Sequence, residues 1–437
     1  MTNARRDGLI LVFLGSAVIV VILGYLLLAR SPGAVHDFIS SYYATRCLLH
    51  QSDPYSEKEL LGDYEAEGAP RLVDETEDRI SVGRYVYPPT TFAVLVPFAL
   101  FPWDIAHILW AIFSASSLIL AACLAFDLGA DHAPILCGAI IAYLLANSEI
   151  LVMLSNPSAL MIALCVIAAW CFIRDRFVAA GILCMALSLA IKPQGPGLVW
   201  LYFLLAGGVF RKRALQVLVV ACAISIPFMV WTWMVSPHWI RELQANIQSF
   251  SYRGGPTDPG PSSSMRAEFL DLQVVLSRFH DSPVFYNSVT YLVFAPLLLI
   301  WAAATVRTKP SKRKDFLALA AIAPLSLLPI YHHYYDTKLL LLVVPGLGLL
   351  WTRRNRVAFI ALLLTAASFF FTGDLSHWLV TRTAQGLYPA PGGSAGWLAD
   401  AVTVFPAPLL LLATGVFYLW IYVESSLIEE RIASGTS

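Results

Sequence analysis

The chain is written in long apolar runs broken by short polar punctuation. The first, from Gly8 to Ala29, carries no charged residue, and as a helix it rises about 33 Å, matching a hydrocarbon core about 30 Å thick. It is longer than the apolar segment of a cleaved signal peptide, roughly 7–15 residues, and many further runs follow, so it reads as a span. Those runs are Ile105–Phe126, Ala133–Ser148, Pro157–Ile173, Phe177–Ile191, Pro196–Phe210, Ala214–Val235, Val284–Val306, Phe316–Tyr331, Leu339–Thr352, Val357–Thr372 and Val404–Val423. Several fall short of about 18 residues and are weak evidence singly. Parity joins them. The basic clusters Arg5-Arg6, Arg174/Arg176, Arg211-Lys212-Arg213, Arg307 through Lys314 and Arg353-Arg354/Arg356 mark cytoplasmic loops, which requires an even number of crossings between each successive pair. About twelve transmembrane helices, with both termini inside, satisfy that condition.

The fold expected is a single all-α polytopic membrane domain over residues 1–437, with long extracytoplasmic loops at 31–104 and 236–283 and a third at 373–403. Within the first loop, Thr90–Phe101 reads as an interfacial helix, because Pro88-Pro89 suit a helix start and a dozen residues are too few to span. The acidic stretch "YEAEGAPRLVDETEDR" reads as a solvated loop face rather than a metal site. No inverted internal repeat is visible.

Composition agrees with a membrane domain. Of 437 residues, 58% are hydrophobic and 13% charged, against roughly 25% charged in soluble domains. The 29 basic and 29 acidic residues cancel, so no global field argues for nucleic acid. Six cysteines lie in apolar runs and Cys47 in a polar one; their spacing suggests neither disulfides nor a metal site, and they read as core thiols.

The topology gathers unusual polar residues on one side of the membrane. Asp37 follows the first span, Lys192-Pro193-Gln194 ends the run Phe177–Ile191, "YHHYYDTK" (Tyr331–Lys338) joins two runs, and Asn147-Ser148-Glu149 with Ser155-Asn156 tops another pair. Ionisable groups at membrane depth are costly, so a cluster of them is a functional hypothesis. Each also has a structural reading. Lys192 alone could be a snorkelling anchor, His332 and His333 could pack in an aromatic belt, and Asp37 could cap the helix that follows.

Taken together they suit sugar transfer from a lipid phosphate. A carboxylate within reach of a hydroxyl can act as general base, and cations or helix N-termini can hold a phosphate. Asp37 would activate the acceptor. Lys192, His332, His333, Arg46 and Arg253 would face the donor phosphate, and His36, Tyr42, Tyr43, Tyr87, Asn156, Gln194 and Tyr334 would contact substrate. No metal or other cofactor is implied. A transporter or lipid flippase is the alternative, but it needs polar residues along a path at mid-membrane, and the runs offer few ionisable groups beyond His107.

The blocks "HDFISSYYATRCLLHQSDPYS", "YVYPPTTFAVLVPFALFPWDIAHILW", "AAGILCMALSLAIKPQGPGL" and "YHHYYDTKLLLLVVP" resemble, in order and spacing over most of the chain, glycosyltransferase family 87 of the GT-C fold. The resemblance implies inverting transfer of mannose, arabinofuranose or a similar sugar from a polyprenyl-phosphate donor to a lipid or polysaccharide acceptor, on the extracytoplasmic side of a bacterial plasma membrane and without a divalent metal. It places the base at Asp37, a donor-phosphate lysine at Lys192 and a histidine at His333, with His332 an ambiguous neighbour. The family's Gly-Gln-x-Asn pattern is reduced here to "LSNPSAL", which keeps Asn156.

Overall fold

A computed structural model of the chain describes residues 2–29, 36–67, 82–263, 265–308, 311–384 and 394–434. Regular structure among them is helical, with one isolated β-bridge pairing Phe269 and His333. Six helices are long and apolar enough to cross a membrane: Asn3–Leu26, Trp103–Gly129, Pro157–Arg174, Gly208–Val235, Pro283–Arg307 and Pro406–Ser426. Shorter apolar helices at Pro134–Ala146, Val178–Ile191 and Arg356–Phe371 pack among them. The result is a polytopic all-α membrane protein.

Every apolar run of the sequence carries helix, but not every run is one long helix. The stretch before Trp351 is a 3-10 segment, Tyr334–Val343, continuing into Val344–Trp351, and the residues after Pro88 form a single 3-10 turn and the short helix Phe92–Ala99. Most of the acidic stretch expected as a solvated loop lies outside the described residues.

Pro157–Arg174 is the axis of the bundle, with 83% of its length buried, whereas in Gly208–Val235 and Pro283–Arg307 only 11% and 17% of the most apolar 18 residues are buried, and residues such as Val219, Met234, Leu292 and Leu299 face outward. The first span docks on Pro134–Ala146 through small residues. A Cβ added at Gly8 would stand 2.3 Å from the Pro134 carbonyl oxygen, and one at Gly138 2.3 Å from that of Gly8. Lipid tails compete with any apolar side chain, so backbones that approach this closely gain packing that larger residues would block. The cysteines are free; Cys47 is buried despite its polar neighbours, while Cys222 is exposed and so is not a core thiol.

The ends of the axial helix fix the polarity of the molecule. At its C-terminal end, Arg174 and Arg5 share Asp127 and Asp131, at 2.6 to 3.0 Å, and Arg213 pairs with Asp175. Three of the basic clusters therefore meet at one end of the bundle. Asn156, at the other end, is about 27 Å away by helix rise.

Candidate active site

Asn156 caps the axial helix, its Oδ1 accepting from the backbone N–H of Ser158 at 2.7 Å. That cap commits the oxygen of the amide, so Nδ2 must point the other way. It donates to Asp37 Oδ2 at 2.7 Å and to the Tyr335 hydroxyl at 3.1 Å. Asp37 lies in the first turn of the helix His36–Leu49. Tyr87 donates to Asn156 Oδ1 at 3.4 Å, and its own carbonyl accepts from Tyr55 of the "DPY" turn at 2.9 Å.

Ser158, two residues further along, leads to the second half of the cluster. Lys192, where Val178–Ile191 ends, donates from Nζ to Ser158 Oγ at 3.2 Å and to Asp336 Oδ2 at 2.7 Å. It is no snorkelling anchor: the residue is 9% exposed and its charge is matched inside the protein. Asp336 also takes His332 Nδ1 at 2.9 Å and the backbone N–H of His333 at 3.3 Å. Burial alone would raise the Asp336 carboxyl; Lys192 and His332 outweigh it and hold it well below the usual carboxylate range. Burial also depresses both imidazoles, His333 to about 3, so each is neutral near pH 7. Neutral His332 donates a hydrogen bond from Nδ1–H to Asp336, which leaves Nε2, buried and without a partner among the described residues, as an acceptor.

The second long loop closes the other side. Leu270 N–H donates to the His332 carbonyl at 3.0 Å, and this short pairing sets Glu268 against His333, with Oε2 3.3 Å from Nδ1. Glu268 Oε1 lies 3.8 Å from His377 Nε2. Two ring stacks hold these histidines, His333 on Tyr335 at 4.9 Å and His377 on Tyr334 at 4.8 Å. Burial, aided by the charge of Asp37, pushes Glu268 up to about 7. The folded protein thus binds this proton more tightly than the unfolded chain does. The stabilising contribution is complete below the ordinary value of 4.5 and is lost as pH rises through about 7. Thermal unfolding of the wild type should accordingly fall more steeply than that of Glu268→Gln between about pH 5 and 8. Asp271, also raised to about 7 by burial, titrates in both proteins and cancels from the comparison. Equal slopes would mean that Glu268 is ionised throughout.

The structure thus brings Asp37, Lys192, His332, His333, Tyr87, Asn156 and Tyr334 together from five separate parts of the chain. Other candidates lie elsewhere. Arg46 is held by Glu67, with its Nε and second terminal nitrogen 2.7 and 2.6 Å from Oε1, and also bonds the Ala99 carbonyl. Arg253 is half exposed and paired with Asp281 at 2.7 Å. Neither joins the cluster, because each has a nearer carboxylate. Tyr42 and Tyr43 pack against Trp103 and Tyr64 in the core, with the Tyr42 hydroxyl on the Phe101 carbonyl. Gln194 is half-buried in the turn after Lys192, and the side chain of His36 lies outside the described residues. Asp336, Glu268, Ser158, Tyr335 and His377 were not anticipated. Of these only Asp336 left a trace in the sequence, four residues after His332.

Among the described residues no group of histidine, cysteine and carboxylate side chains could hold a metal ion. The cluster can instead accept a proton at Asp37, oppose an anion with Lys192, and donate or accept through two neutral imidazoles. No curated protein and no solved structure matches the chain. The family model for glycosyltransferase family 87 matches residues 85–331, more than half of its length. The matched segment holds Tyr87, Asn156, Lys192 and Glu268, and ends one residue before His332. The chain belongs to glycosyltransferase family 87, and it is a membrane glycosyltransferase.

Proposed function

We propose that the protein has the GT-C fold with about twelve crossings and transfers a sugar such as mannose or arabinofuranose from a polyprenyl phosphate to a lipid or polysaccharide acceptor, with inversion, on the extracytoplasmic face. The observation that carries the reading is the hydrogen-bonded chain from Asp37 through Asn156 and Ser158 to Lys192, Asp336 and His332. It brings a carboxylate, a buried lysine–aspartate pair and two imidazoles together at the bundle end opposite the Arg5, Arg174 and Arg213 cluster. Basic loops stay in the cytoplasm, which supports an outward-facing site.

In the reaction Asp37 takes the proton of the acceptor hydroxyl as its oxygen bonds to the anomeric carbon. The bond from that carbon to the phosphate oxygen breaks, and its electron pair leaves with the polyprenyl phosphate. Lys192 and a neighbouring imidazole face the charge that develops there. Since Asp336 already matches Lys192, an arriving phosphate adds an anion to a site that holds Asp37 as well, which favours proton uptake on His332, His333 or Glu268.

Lys192→Gln removes the charge while keeping a donor near Asp336. It should raise the KM for the polyprenyl-phosphate donor by about tenfold or more and leave that for the acceptor close to wild type. Initial rates with each substrate varied in turn give both constants, and a rise confined to the acceptor would move Lys192 out of the donor pocket.

A further inference from the structure

Two carboxylates of the cluster, Asp336 and Glu268, mark unlike halves of the site. Asp336 and His332 are sealed, with side chains 1% and 0% exposed, whereas Glu268 and His377 are each 21% exposed and form the open side. Glu268 has few polar partners within the protein. Its nearest polar contacts among the described residues are the two histidine nitrogens at 3.3 and 3.8 Å, and His333 Nδ1, on a side chain nine-tenths buried, completes no hydrogen bond. The carboxylate oxygens of Glu268, on the open side, therefore keep capacity to accept further hydrogen bonds. The Tyr334 and His377 rings, 11° from parallel, lie beside it as an aromatic pair. Glu268 is linked to Asp37 through His333, which stacks on Tyr335, and through Asn156, which donates to both the Tyr335 hydroxyl and Asp37.

Hydroxyl groups next to an aromatic face could use that capacity, and they are what a sugar presents. We propose that Glu268, with His377 and Tyr334, forms the acceptor subsite and receives a hydrogen bond from a hydroxyl neighbouring the one that Asp37 deprotonates, so that the acceptor is a polyol and not a simple lipid alcohol. The inference rests on the reaction proposed above. It divides the labour of the cluster: Lys192 and Asp336 face the phosphate, Glu268 and His377 the acceptor sugar. The charged and titratable groups facing Glu268 are Asp37 on the His36–Leu49 helix, His333 just before the 3-10 segment Tyr334–Val343 and His377 on the helix Asp374–Ala384; Asp37 and His333 remain in every variant below, and His377 remains in Glu268→Gln.

The test is binding by the full chain in lipid nanodiscs, using octyl α-mannoside and octyl β-glucoside below their micellar concentrations and 1-octanol as the sugarless control. The wild type should bind at least one glycoside about tenfold more tightly than octanol, the range expected of a hydrogen bond to a charged group. Glu268→Gln and His377→Gln, each checked for an unaltered unfolding transition, should lose that preference, while Lys192→Gln keeps it. Equal binding of glycosides and octanol by the wild type, or an undiminished preference in a folded Glu268→Gln protein, overturns the subsite. Failure of the reaction itself reads out separately, as absence of label transfer from polyprenyl-phosphate sugars by a wild type that still prefers glycosides.

Discussion

Asp37→Asn is expected to lower turnover by about 10²–10⁴, the usual cost of removing a general base, while expression, folding and donor binding persist. The substitution keeps the shape of the side chain and an oxygen that can still accept from Asn156 Nδ2, so the hydrogen-bonded frame survives. What disappears is the acceptor for the hydroxyl proton. Single-turnover transfer from a radiolabelled polyprenyl-phosphate sugar measures the chemical step directly, and near-wild-type turnover would take the base role away from Asp37.

Asp336 is the position where substitution should cost most stability. It is 1% exposed and gathers Lys192, His332 and the His333 backbone on one oxygen. Removing one partner of a buried ion pair typically costs about 3–5 kcal/mol, because the other charge stays behind without compensation. Asp336→Ala should therefore lower the unfolding midpoint markedly. The double variant with Lys192→Met should recover much of the loss, since neither charge is then stranded. Additive effects of the two substitutions would show that the pair is not coupled. The same coupling explains why Lys192 can sit nine-tenths buried in an apolar bundle at all.

How far the sequence foretold this arrangement varied with the kind of signal. Membrane class followed from run length, which answers to a fixed bilayer thickness. Parity of the basic clusters put Asp37, Asn156, Lys192 and the Tyr331–Lys338 stretch at one end, and the structure joins them by hydrogen bonds across separations of 119 and 144 residues. Pairing was beyond reach. Arg46 and Arg253 looked as available for phosphate as Lys192, and only folding reveals that Glu67 and Asp281, 21 and 28 residues further on, hold them instead. Glu268 was hidden for the same reason: it lies in a glycine- and proline-rich loop without periodicity, and the pairing of Leu270 with His332 is what carries it to the site. Short runs misled in a milder way, because the stretch ending at Trp351 is apolar enough for a helix yet begins as a 3-10 segment, Tyr334–Val343.

The most direct measurement is a cryo-electron microscopy map of the full chain in nanodiscs with a polyprenyl monophosphate. The account predicts phosphate density within about 3 Å of Lys192 Nζ or a His332 or His333 ring nitrogen, a hydrogen-bonding distance, on the same face of the bundle as Asp37. Phosphate density at the opposite end, among Arg5, Arg174 and Arg213, with the Lys192 and Asp336 pair undisturbed, would contradict it.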